Sequence, residues 1–99
     1  MPKFPQQILK KVPYQVNGNA DVTAVPVDCT EGGDGITFAT FFAIKNADTS
    51  DNVLFSFDNV TFTTLKPYEA FSINGCIKTV YIKSNVNTPA YEIVLLAES

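Results

Sequence analysis

The sequence predicts an all-β domain, an antiparallel β-sandwich of about seven short strands, and three observations carry that reading. From Asp21 onward, apolar and polar residues alternate with a period of two. Clusters of Gly, Pro, Asn, Asp and Ser interrupt the alternation at intervals of roughly ten residues. No segment sustains a helical period. With 99 residues, 45% of them hydrophobic and 17% charged, the chain can build one core and lies far from disordered compositions.

The first nineteen residues are set apart. Pro2, Pro5 and Pro13 interrupt them, and Asn17-Gly18-Asn19 closes them with a turn signal. Lys3, Lys10 and Lys11 give this stretch +3, whereas residues 20–99 carry −6. Gln6 to Val12 has room for a helical turn, too short to stand alone. The expected organisation is an extended N-terminal arm over residues 1–19 and a sandwich over residues 20–99. A disordered terminus is the competing reading of the leader. In a docking arm, Phe4, Ile8, Leu9 and Tyr14 are the apolar anchors, and Lys10 and Lys11 add charge that speeds encounter.

The sandwich strands follow in order. Ala20 to Val27 is the first, and Pro26, which cannot donate to a ladder, places it at a sheet edge. A glycine-rich loop over Cys29 to Gly35 leads to Ile36–Lys45. There Ile36, Phe38, Phe42 and Ile44 share one face with Thr40, opposite Thr37, Ala39, Phe41, Ala43 and Lys45. The polar cluster from Asn46 to Asn52 is a turn. Val53–Phe57 and Val60–Lys66 read as a hairpin closed by Asp58-Asn59. Pro67 suits the second position of the next turn. Ala70–Ile73 is expected to end at Asn74-Gly75, and Ile77–Lys83 and Ala90–Leu96 complete the set. Phe38, Phe42, Phe55, Phe57, Val80, Ile82 and Ile93 are the expected core. A jelly roll or an immunoglobulin-like arrangement both fit this spacing.

Function is constrained mainly by absences. The chain contains no His, so it can assemble neither a Ser-His-Asp triad, a Cys-His pair nor a histidine-ligated zinc site. Two cysteines, Cys29 and Cys76, cannot make a four-cysteine site, and they are expected as two thiols rather than a bridge. No glycine-rich phosphate cradle is present. The acids lie almost entirely at turns, where solvent keeps carboxylates ordinary. These features predict a non-enzyme that needs no cofactor. The absence of Arg and the acidic body argue against nucleic acid. No run reaches the ~18 apolar residues of a membrane span, and no secretory signal is expected. Glu31 with Asp34, and Asp48 with Asp51 and Asn52, are two acidic loops that could supply oxygens to calcium, though ordinary turn chemistry is the stronger reading of both. Tyr68 and Tyr81 are the candidate platforms for a sugar.

From Phe42 to the C-terminus the chain resembles small virion proteins of tailed bacteriophages. The resemblance lies in Ile44-Lys45-Asn46, Val53-Leu54-Phe55-Ser56-Phe57-Asp58, Phe62-Thr63-Thr64-Leu65-Lys66-Pro67-Tyr68-Glu69, Ile77 to Ser84, and Tyr91-Glu92-Ile93. The pattern usually has glycines after the Phe-Asp pair and a Pro-Gly-Glu turn, where this chain has Asn59 and Tyr68. It implies a β-sandwich building block of the virion, assembled in the host cytoplasm. Such a block is a capsid decoration or a head or neck accessory subunit, a homo-oligomer bound to capsid or neck proteins of the same particle. The alternative from the residues alone is a carbohydrate- or calcium-binding sandwich module.

Overall fold

The computed structural model describes residues 11–30 and 39–98, and among them every regular element is a strand. The strands are β1 (Lys11–Asn19), β2 (Val25–Asp28), β3 (Ala39–Asn46), β4 (Val53–Ser56), β5 (Thr63–Leu65), β6 (Ala70–Ile77), β7 (Thr79–Lys83) and β8 (Ala90–Glu98). They form two four-stranded antiparallel sheets, one ordered β1-β8-β3-β6 and the other β2-β7-β4-β5. Strand β1 pairs with β8, β2 with β7, β3 with β6 and β4 with β5. The chain is thus one long hairpin, closed at β4–β5 and rolled so that successive arms alternate between sheets. That pairing is the eight-stranded jelly roll.

The topology corrects the expected boundary after residue 19. Lys11–Asn19 is not an arm but an edge strand, in register with β8 from Lys11↔Glu98 to Asn19↔Ala90. Pro13 misled the reading because an edge strand tolerates a missing donor. Asn17-Gly18-Asn19 is no turn either. Gly18 lies opposite Tyr91, and a β-carbon there would meet the Tyr91 hydroxyl at 2.7 Å. The glycine makes room for an aromatic ring, not for a bend. The first sandwich strand is also shorter than expected, but β2 is an edge strand, as Pro26 requires.

The core lies between the sheets. Phe42, Ile44, Val53, Phe55, Val80, Ile82, Ile93 and Leu95 are buried. Five of the seven expected core residues are among the buried set. Phe57 is 42% exposed at the mouth of the sandwich, and Phe38 lies outside the described residues. Ala39 departs from the expected alternation: it is fully buried, as Phe42 is. The ladder explains this. Between matched positions Ala39 and Phe41, β3 contains one residue, β8 none and β6 two, Gly75 and Cys76. These successive bulges fan the sheet and reverse the phase of β3 at its start.

One polar residue ties the opposite end together. Asn46 is fully buried; its amide donates to the carbonyls of Asp51 (2.8 Å) and Leu65 (2.9 Å), and its Oδ1 accepts the N–H of Asp48 (2.9 Å). Its backbone also exchanges hydrogen bonds with Tyr68 and Glu69. Through side chain and backbone together, this one satisfied residue holds three chain segments.

Candidate interaction surfaces

Among the described residues, no group of three or more Cys, Asp or Glu is placed to hold a metal ion. Among the same residues, no helix is long and apolar enough to cross a membrane. The two cysteines are thiols in different surroundings. Cys29 is buried at the end of β2, where burial pushes its thiol up to about 11, whereas Cys76 is exposed on β6.

The candidate acidic loops divide. Glu31 and Asp34 lie outside the described residues. In the other loop the Asp48 carboxylate accepts the N–H groups of Asp51 (2.8 Å) and Ser50 (3.0 Å), which hold it below the usual range. The Asp51 carboxylate accepts from the Asn87 amide at 3.0 Å. The Asp48 bonds close the turn through Oδ2, and the Asp51 bond ties this loop to the one at Asn87.

The anchor residues expected at the N-terminus are divided too. Phe4, Ile8, Leu9 and Lys10 lie outside the described residues. Lys11 and Tyr14 belong to β1, matched to Glu98 and Leu95.

Of the two tyrosine platforms, Tyr68 is 58% exposed and Tyr81 half-buried. Tyr68 sits at φ 66° in a turn closed by the Glu69 N–H donating to the Lys66 carbonyl at 2.9 Å. Pro67 at the second position and a left-handed third residue mark a type II turn, whose third position normally takes glycine. A β-carbon there costs about 1 kcal/mol. The Lys45 ammonium lies 6.0 Å from the Tyr68 ring.

The larger surface feature was not anticipated from sequence. A cleft of about 540 Å³ opens at the corner where the chain leaves β6 and crosses to β7. Phe57, Ile73, Cys76, Ile77 and Tyr81 line it, with Lys78 on its wall. Asn74-Gly75 read as the end of a strand, but β6 runs through both residues to Ile77. The cleft exists because the sheets are unequal here: β6 has eight residues, and β5, across the sandwich, has three. Ile73 is therefore 41% exposed although it lies in register with buried Phe42.

No protein-family model and no curated protein matches the sequence. Solved structures do match the fold. A subunit of Bacillus endospore appendages, described as disulfide-linked pili, matches with a TM-score of 0.54 at 15% identity, over 91% of this chain and 88% of that one. A cupin domain of an XRE-family transcriptional regulator from Enterobacter cloacae gives 0.54 at 15% identity, over 96% and 90%. A Vibrio parahaemolyticus protein of unknown function gives 0.52 at 9%, over 94% and 93%. The likeness is one of fold.

Proposed function

We propose that this chain is a non-enzymatic structural subunit of a tailed-bacteriophage virion, a capsid decoration or head or neck accessory protein docked on a repeated protein lattice. The observation that carries the reading is the apolar packing of the interior. Phe42, Phe55, Ile82, Ile93 and Leu95 occupy the space between the sheets, which leaves the outer surfaces and edges as the working parts. The resemblance from Phe42 to the C-terminus supports the phage particle, and the likeness in fold to a subunit of endospore pili supports a role as building material. A lattice offers many identical sites, so weak contacts gain by avidity when the subunit is itself a symmetric oligomer. Its partners are then capsid or neck proteins of the same virion, and the Phe4, Ile8 and Leu9 leader is the proposed anchor.

The test is sedimentation. The tagged chain, expressed in the native host during particle production, should band with purified particles at a fixed copy number by quantitative mass spectrometry. Recovery wholly in the soluble fraction, with no copies on particles, refutes the assignment.

A further inference from the structure

The geometry points to β6 as a self-pairing edge: two copies of the chain join antiparallel along Ala70–Asn74 about a two-fold axis, making one continuous eight-stranded sheet. Among the described residues four strands are sheet edges, namely β1, β6, β2 and β5. Three are blunted in the ways that keep natural edges from pairing. Strand β1 carries Lys11 and Pro13; β2 has four residues, including Pro26 and Asp28; β5 has three, followed at once by Lys66-Pro67. Strand β6 has eight residues, Ala70-Phe71-Ser72-Ile73-Asn74-Gly75-Cys76-Ile77, with no charge and no proline. All but Phe71 and Ile77 are exposed.

The occupant follows from self-complementarity. A two-fold pairing sets a strand against itself, so any charge near the centre would meet its own copy, and β6 has none. The bulge at Gly75-Cys76 leaves Ala70–Asn74 as the regular portion, centred on Ser72. Pairing about Ser72 sets Phe71 against Ile73 of the second copy, twice. Both lie on the inner face, in register with Ile44 and Phe42 of β3. An aromatic residue opposite a β-branched one is a favoured cross-strand pair. The same step covers Ile73, which short β5 leaves exposed.

This inference does not depend on the virion reading, because it concerns the purified chain with no particle present. Sedimentation velocity across micromolar to near-millimolar protein should show a monomer–dimer equilibrium. Ser72→Lys and Ser72→Asp should each weaken it about tenfold or more, and mixing the two should restore it. Hydrogen exchange on the unaltered chain gives a second reading: amides of residues 70–74 should gain protection as concentration rises. Three results overturn the proposal: a monomer throughout, with exchange independent of concentration; Ser72→Lys associating as the parent does; or loss of the dimer in a Phe4→Ser, Ile8→Ser, Leu9→Ser chain that still melts normally, which would make the leader the occupant.

Discussion

The rings of Phe42 and Phe57 lie 5.5 Å apart, edge to face, yet one is fully buried and the other 42% exposed. They belong to one aromatic cluster with Phe55, which stacks further onto Phe71 at 5.0 Å. Their energetic roles must differ accordingly. Phe42→Ala leaves a cavity that packed neighbours cannot close and should cost about 3–5 kcal/mol, a large part of a small domain's stability. Phe57→Ala removes a ring already half in water and should cost about 1 kcal/mol. Urea unfolding of both variants checks this, and equal losses would mean that the mouth is as tightly packed as the centre. Alternation by itself made the two residues equivalent, since both point between the sheets. What separates them is depth along the strand, which depends on where the facing sheet stops. Asn46 was equally opaque: as the first residue of a polar cluster it read as solvated turn, and only the convergence of three segments buries it.

At the scale of elements, the alternation located strands well and their ends poorly. Val53–Phe57 and Val60–Lys66 do pair, from Val53↔Leu65 to Phe55↔Thr63, but the two-residue hairpin is really a loop over residues 57–62. The Asp58 carboxylate opens it. It accepts the N–H groups of Val60 and Thr61, both at 2.9 Å, and the Ser56 hydroxyl at 2.7 Å, diverting the chain from the ladder. Val60 is left 79% exposed, and Phe62 turns beneath the Lys83 ammonium at 4.3 Å. The same bonds, led by the Thr61 N–H and the Ser56 hydroxyl, hold Asp58 down at about 2. A lowered carboxylate stabilises the fold above its unfolded pKa and loses that contribution as pH falls through the folded one. Thermal melts of the parent chain and Asp58→Ala should therefore differ at neutral pH and converge between about 4 and about 2. A gap in melting temperature that stays constant across that window would show that the charge on Asp58 is irrelevant to the loop.

For the whole molecule, the nested pairing makes the two ends of the chain mutually dependent. Strand β8 lies between β1 and β3, and its ladder with β1 spans nine residues. Removing residues 1–19 would strip one full edge of β8, expose Tyr91 where Gly18 covers it, and leave the sheet with three strands. Such a truncated chain should lose its cooperative thermal transition by circular dichroism. A melt close to that of the full chain would instead mean that β1 is only laid onto a finished sandwich. Every connection except β4–β5 crosses between sheets, so most pairings close over long stretches of chain.

The sequence by itself determined that this is an all-β sandwich, which face of most strands is apolar, that β2 sits at an edge, and which catalytic and histidine-ligated sites are chemically impossible. These follow from composition and from the period of two, which are local properties. Tertiary structure alone decided the choice of jelly roll, the membership of β1, the exposure of Phe57 and Ile73, and the cleft beside β6. Each depends on which strands become neighbours and how far one sheet overhangs the other. Lengths of facing strands are set by residues far apart in the chain, so no local pattern records them.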